Sequence, residues 1–520
     1  MLRPFAGTRP IAVCSWVFCL ILSGCASLPE DVDRDVNTAI DDYTSTNLGQ
    51  LFGAGERQHP GLSGFSIVSD SVNAFHARIA MIRVAEKSID VQYYIWEPDT
   101  TGGLMALELL DAANRGVRVR ALIDDSTQSG QDNALLAYDA HPNIEVRVFN
   151  PFAYRGSRAV GYLTDFQRLN HRMHNKLIAA DNVVALIGGR NIADHYFGVH
   201  EEENFRDLDI AAVGPVVRDI SASFDVYWNS LWAYPVEAIA DPDERPALEQ
   251  LEAQAEALRK RLAEEPYPLS LEEGVEELTG NVSALPSHFT WARGRILADD
   301  PDELSEQRSA TGVITELRDQ MDTMNEELLI EAAYFVPLDR GVERLRQLTS
   351  RGVRVRVLTN SLASNDVAAA HSGYEEFRED LLRAGVELFE LRPDSDEIIR
   401  TWSVVAGKSR SLLHTKALVW DRDTLFIGSL NLDPRSIDIN TELGLLVESE
   451  ELAQQVAAYM DQGANLNNAY RVQLNNAGDL VWTTRMDNGE LVQFDKEPQT
   501  SALKRGTADF IKMLPAESQL

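Results

Sequence analysis

His174 and Lys176 are separated by one residue and followed, after Leu177-Ile178-Ala179-Ala180, by Asp181; the same spacing returns 240 residues later as His414, Lys416 and Asp421. Each copy runs into an apolar stretch that suits a buried strand. On a strand, residues i and i+2 share a face, so the His and Lys of each copy point the same way. Gly188-Gly189-Arg190-Asn191 and Gly428-Ser429-Leu430-Asn431 follow at the same offset and set Asn191 and Asn431 at a fixed distance behind the pairs. Two His and two Lys converging on one pocket suit a tetrahedral phosphoryl group. The lysines are fixed charges for its non-bridging oxygens and the asparagines are neutral donors. One imidazole can attack phosphorus while the other protonates the leaving oxygen. Such a site requires no metal, because the lysines supply the positive charge. Each imidazole needs one ring nitrogen free and the other held by an acceptor; Asp209 and Glu442, on the strands after the motifs, are the candidates. Asp181 and Asp421 complete the catalytic signature, but they lie five residues past the lysines on the opposite strand face and read as structural. A lone His-x-Lys would be an exposed strand edge; duplication with matched Asn spacing reverses that reading.

The elements that must position these residues also come twice. After an acidic lead-in, helical and strand periods alternate from about residue 65: a helix over 73–87, a strand over 89–96, a helix over 104–114, a strand over 117–124, a short helix over 133–138 and a strand over 144–149. Arg351-Gly352-Val353-Arg354-Val355-Arg356-Val357-Leu358 nearly copies Arg115-Gly116-Val117-Arg118-Val119-Arg120-Ala121-Leu122, and strands over 328–335, 386–391 and 412–419 repeat the rest. The expected fold is α/β: two tandem homologous domains, each a mostly parallel mixed sheet flanked by helices, packed about a pseudo-two-fold axis that turns the motifs face to face. The expected boundaries are a signal peptide over 1–24, a lipidated tether over 25–61, a first domain over 62–239, an acidic helical linker or insertion over 240–288, a second domain over 289–465 and an extension over 466–520. Arg206 to Val213 reads as one strand with two carboxylates at its start. The long loop 150–173 carries Tyr154, Arg155, Arg158, Tyr162, Arg168 and Arg172, which suits a phospholipid headgroup and, equally, a solvated surface.

The formal net charge of −33 opposes a non-specific nucleic-acid binder, since phosphate backbones are held by Lys and Arg. All three cysteines, Cys14, Cys19 and Cys25, fall in the first 25 residues, so the folded body holds no disulfide and no Cys-based metal site. Arg3 and Arg9 precede a short apolar run that ends in Leu22-Ser23-Gly24-Cys25, which resembles a bacterial lipobox with Cys25 as the lipidated residue. The expectation is a body tethered by lipid on the periplasmic side of a bacterial envelope, with the choice of membrane open.

The duplicated His-x-Lys-x4-Asp resembles the signature of the phospholipase D superfamily. Gly428-Ser429-Leu430-Asn431, Asp433-Pro434-Arg435-Ser436 and Asn440-Thr441-Glu442 are similar to its bacterial cardiolipin synthase branch, and Asp90-Val91-Gln92-Tyr93-Tyr94-Ile95-Trp96 to that branch's C type. The resemblance implies a phosphatidyltransferase joining phosphatidylglycerol with phosphatidylethanolamine or a second phosphatidylglycerol through a phosphohistidine, without a cofactor. By it, His174 is the nucleophile and His414 the acid and later the base; sequence symmetry alone leaves that order open. Rival readings are a phospholipase D that releases phosphatidic acid to water, a nuclease of the superfamily, and a non-catalytic lipoprotein.

Overall fold

The computed structural model describes residues 27–506 apart from 242–245, 265–266, 268–270, 281, 306–311, 396 and 400–408. The expected signal peptide, residues 1–24, and Cys25 lie outside the described residues. The first half contributes β1 (Ser63–Val68), β2 (Ser88–Tyr93), β3 (Arg118–Asp124), β4 (Ile144–Phe149), β5 (Lys176–Ala180), β6 (Val184–Gly188), β7 (Glu203–Arg206), β8 (Asp209–Val213) and β9 (Ala233–Pro235). The second contributes β10 (Thr290–Ala298), β11 (Glu327–Ala332), β12 (Arg354–Asn360), β13 (Glu387–Leu391), β14 (Arg410–Leu413), β15 (Lys416–Trp420), β16 (Thr424–Gly428), β17 (Leu443–Glu448), β18 (Ala469–Leu474), β19 (Leu480–Arg485) and β20 (Leu491–Phe494).

Within the first half the pairings run β9, β4, β3, β2, β5, β6, β8, β1. Within the second they run β10, β17, β16, β15, β11, β12, β13, β18, β19, β20. The equivalent strands β1 and β10 pair antiparallel, Gly64 opposite Trp291, and join the two into one continuous sheet of 18 strands. Antiparallel pairing of equivalent elements is what a two-fold axis through that seam demands.

One expectation is corrected: the halves are not mostly parallel. Parallel pairing is confined to β2–β3–β4 and β11–β12–β13, where helices cross over, and the remaining pairings in the sheet are antiparallel. The reason is a hairpin directly behind each motif. Asp181 and Asn182, and again Asp421 and Arg422, adopt positive φ of 52°, 55°, 47° and 54° in a tight three-residue connection, with Ala180 paired to Val184 and Trp420 to Thr424. Asp-Asn between two apolar runs was the sequence signal for it.

Residues 27–61, expected as a tether, lie against the first half. Arg34 donates to the carbonyls of Ala233 and Leu231, and the helix Asn47–Gln58 is capped by Thr46 and buries Phe52 edge-on to Phe289. The 240–288 segment forms helices Leu248–Glu264 and Leu271–Thr279 that pack on the first half, with Leu251 and Val275 buried. Residues 466–494 extend the second sheet through β18 to β20. A central apolar layer draws on both halves, with Leu177, Ile187, Phe224 and Trp228 packed in the same cluster as Ala417, Ile427, Leu445 and Met460. Among the described residues no helix is long and apolar enough to cross a membrane.

Candidate active site

A small parallel sheet between the halves sets the two histidines. β14 pairs with β7, Leu413 opposite Arg206, and the symmetric bridge pairs Met173 with Thr441. Each motif histidine therefore hangs its backbone N–H on the opposite half, His174 on the Thr441 carbonyl at 2.9 Å and His414 on the Arg206 carbonyl at 2.8 Å. The rings follow the same crossing. His174 Nδ1 lies 2.9 and 3.0 Å from the Glu442 carboxylate oxygens, and His414 Nδ1 lies 2.7 Å from Asp207 Oδ2. A carboxylate on Nδ1 fixes the tautomer that leaves Nε2 as the free, nucleophilic nitrogen.

Asp207, and not Asp209, thus completes the second histidine, which corrects the sequence expectation. The chain from Arg206 to Val213 is not one strand but breaks at 207–208 between β7 and β8. Gly188 pairs with Asp209 where Gly428 pairs with Gly444, so Asp209 is the counterpart of Gly444 and Asp207 that of Glu442. Asp209 is instead buried between Arg78 at 2.9 Å and Arg190 at 3.0 Å, an ion cluster behind the site. The neighbours match the carboxylates' sizes: a Cβ at Gly189 would stand 2.2 Å from Asp207 Oδ1, whereas Ser429, at the equivalent place, donates its hydroxyl to Glu442.

Lys176 and Lys416 are buried, and each spends one of its three donors on the carbonyl of its own motif histidine. Burial depresses both lysines, Lys176 well below the ordinary range and Lys416 to about 8. Both histidines are also depressed well below theirs, first by burial and then by both lysines, and His414 by His174 as well. Mutual influence across the halves is what one shared site produces. Burial raises Asp207 and lifts Glu442 to about 7. Aromatic edges wall the rings: Tyr94 stands 5.0 Å from His174, and Tyr196 and Phe205 each stand 5.0 Å from His414.

Asp181 and Asp421 are turn residues. Asp181 accepts the backbone N–H groups of Glu86, Lys87 and Ser88, and Asp421 those of Asn325, Glu326 and Glu327, so the motif's third member pins each hairpin to the neighbouring strand and does not reach the site. Asn191 is a positioning residue: its carbonyl accepts from Ile95 N–H at 3.1 Å, and its amide donates to the Tyr196 hydroxyl at 2.8 Å. Asn431 is buried with its carbonyl oxygen unpartnered. The arginines of the 150–173 loop are bound internally, Arg155 and Arg158 to Asp125, Arg168 to Asp165 and Arg172 to Asp124. That segment, which forms the short helices Arg158–Thr164 and Phe166–Leu169, exposes apolar side chains as well as polar ones, with Leu163 87% and Phe166 51% exposed. Among the described residues no group of three or more His, Cys, Asp or Glu is placed to hold a metal ion.

Two His-Lys pairs, carried on equivalent strands of a duplicated sheet and oriented by one another's halves, define a phospholipase D-like protein. Residues 79–228 and 317–463 match the family described as Cardiolipin synthase, PLD-like domain. The chain is 41% identical over 470 residues to Cardiolipin synthase C of Escherichia coli (strain K12), covering 88% of this chain and 97% of that relative. It is 27% identical over 401 residues to Cardiolipin synthase A of Pseudomonas syringae pv. syringae (strain B728a), covering 77% of this chain and 68% of that relative. The crystal structure of phosphatidylserine synthase from Haemophilus influenzae Rd KW20 shares the fold, with a TM-score of 0.56 at 15% identity over 90% of this chain and 99% of that one. The protein belongs to the cardiolipin synthase family of phospholipase D-like proteins.

Proposed function

We propose that the protein is a cardiolipin synthase, a phosphatidyltransferase that moves a phosphatidyl group from phosphatidylglycerol or phosphatidylethanolamine to the terminal hydroxyl of phosphatidylglycerol. The observation that carries this is the crossed site, with two buried imidazoles each held at Nδ1 by the other half's carboxylate and two lysines acting on both. His174 Nε2 attacks phosphorus; the P–O bond to the headgroup breaks as a P–N bond forms, and His414, which enters the step as an imidazolium with Asp207 as its counterion, delivers its Nε2 proton to the leaving oxygen. His414 then takes the proton of the incoming hydroxyl, whose oxygen displaces His174 from phosphorus. Lys176 and Lys416 stabilise the charge that gathers on the non-bridging oxygens. Glu442 and Asp207 hold the imidazoles in the reactive tautomer and balance the imidazolium that forms.

The substrate is a membrane lipid, and the surface offers a way to meet it. Tyr154, Val160, Tyr162, Leu163 and Phe166 are exposed together on the loop that leads into the first motif. Aromatic and apolar side chains of this kind seat at a lipid interface. With Cys25 read as a lipidated residue, the proposed setting of the body is the periplasmic side of a bacterial envelope, with the choice of membrane open. The test is purified protein in mixed micelles of phosphatidylglycerol and phosphatidylethanolamine. Cardiolipin as product supports the reading, phosphatidic acid as the sole product replaces it with a hydrolase, and degradation of single-stranded DNA without lipid turnover replaces it with a nuclease.

A further inference from the structure

Over the outer face of β3 and β4 lies an apolar cavity of about 560 Å³, closed on its far side by the inserted helix Leu248–Glu264 through Ala257 and Leu258. Its origin is legible by comparing the two halves. The helix between β3 and β4 has eight residues, Asp132–Asp139, whereas its counterpart between β12 and β13 has sixteen, Ala368–Arg383. The first half therefore leaves part of its sheet uncovered by its own chain, and the insertion roofs that part over.

The lining residues differ in the same sense. In the register that aligns Arg115-Gly116-Val117 with Arg351-Gly352-Val353, Ala106 and Ala121 face the cavity where the second half has Val342 and Val357. The two valines are buried in the second half's core. Ala106 and Ala121 are only partly buried. The same fold thus has a filled version and a hollowed one within a single chain. Protein interiors rarely leave spaces much larger than a water molecule, and a space of this size, walled largely by aliphatic groups with several polar residues among them, is what apolar ligands occupy.

The cavity runs along β3 from Val119 to Ile123, about 13 Å at the rise of a strand. One end of its lining includes Trp96, Glu97 and Gln128. That end borders the reaction site: Trp96 lies two residues from Tyr94, so at most about 7 Å of backbone separates them, and Tyr94 stands edge-on to His174. Gln128 donates to the Trp96 carbonyl at 3.1 Å, which ties the turn after β3 to the segment that carries Tyr94 and Trp96. On the outside, Arg155 ties the exposed apolar loop to Asp125 and Asp132, which bracket Gln128 and Gln131 of the cavity lining.

We infer that this cavity binds a fatty acyl chain of the phospholipid whose phosphate is held between His174 and His414, and that the inserted helix exists to enclose it. The inference deepens the proposed lipid substrate and rests on that reading. Headgroup chemistry is then served by symmetric machinery, while chain recognition belongs to the first half alone.

Replacing Ala106 with Leu and Ala121 with Val in the full chain fills the space with residues close to those of the second half. The ratio of kcat/KM for dioleoyl over dihexanoyl phosphatidylglycerol is expected to fall at least tenfold against wild type. An unchanged ratio overturns the inference. A second readout needs no turnover: a polyene fatty acid whose fluorescence rises in apolar surroundings is titrated into His174→Ala protein with and without the two filling substitutions. At least tenfold weaker binding in the filled protein supports the cavity as its site; equal binding overturns it. If the filled protein does not fold, Leu258→Phe on the inserted helix narrows the same space and is read in the same two ways. Should wild type form no cardiolipin while the polyene still binds in the cavity-dependent manner, the transferase reading fails and the acyl site stands.

Discussion

Asp207 Oδ2 lies 2.7 Å from His414 Nδ1, although the two residues come from opposite halves of the chain. Two residues further on, Asp209 makes no contact with either motif histidine and neutralises Arg78 and Arg190 instead. The two carboxylates therefore fail in different ways. Asp207→Asn offers His414 an amide that no longer selects the reactive tautomer, and kcat is expected to fall on the order of 10²- to 10⁴-fold with the melting temperature little changed. Asp209→Asn leaves buried guanidinium charge uncompensated and is expected to cost about 3–5 kcal/mol of stability, read as a lowered denaturation midpoint.

The order of the two histidines is open to direct trapping. With a phosphatidyl ester whose leaving group is an activated phenol, departure needs no proton, so His414→Ala protein should still form the covalent adduct and be unable to discharge it. Mass spectrometry of the peptide that contains His174 is expected to show the added phosphatidyl mass. An adduct on His414 in His174→Ala protein, and none in the converse variant, reverses the roles.

Acidity should bracket activity narrowly. Burial holds the Glu442 carboxyl up to about 7, so as pH falls through that value the His174–Glu442 pair takes up a proton and His174 can no longer offer Nε2 with Nδ1 satisfied. Burial brings Lys416 down to about 8, and as pH rises through that value the site loses cationic charge on which the phosphate depends. The profile of kcat/KM against pH is expected to be bell-shaped, with limbs near these two values that belong to the coupled groups as a set. A rate still climbing at pH 9 contradicts the role given to Lys416.

The exposed apolar loop predicts a defect separable from chemistry. Leu163→Ser with Phe166→Ser is expected to weaken cosedimentation with phosphatidylglycerol vesicles several-fold, while turnover of dihexanoyl phosphatidylglycerol, which is dispersed without a bilayer, is retained. Undiminished sedimentation removes this loop from the membrane contact.

The histidines, lysines and duplication were legible because they are local and periodic. His-x-Lys places two side chains on one strand face whatever surrounds it, and two copies at a constant offset require equivalent places in a repeated fold. Glu442 was legible on the same grounds. Asp207 was not, because Arg206 to Val213 reads as an unbroken strand, and only the pairing of Gly188 with Asp209 shows that the carboxylate equivalent to Glu442 lies two residues earlier. The loop arginines suit a headgroup and a solvated surface equally in sequence, and their internal partners were not legible because Asp124, Asp125 and Asp132 lie tens of residues away in the chain. The inserted helix Leu248–Glu264 showed no chemistry in sequence, since its contribution is to close a space that exists only after the sheet has formed.

The exchange of carboxylates across the seam has a consequence for ancestry and for genetics. A single-repeat forebear could have reacted only as a self-associated pair, with every subunit lending an acid to its neighbour's imidazole. Joining the repeats made that loan permanent and let each copy drift, one toward gripping hydrocarbon and the other toward a solid interior. A gene severed between the repeats should yield two inert polypeptides that regain turnover when co-expressed, and either fragment carrying a damaged carboxylate should silence the histidine contributed by its mate.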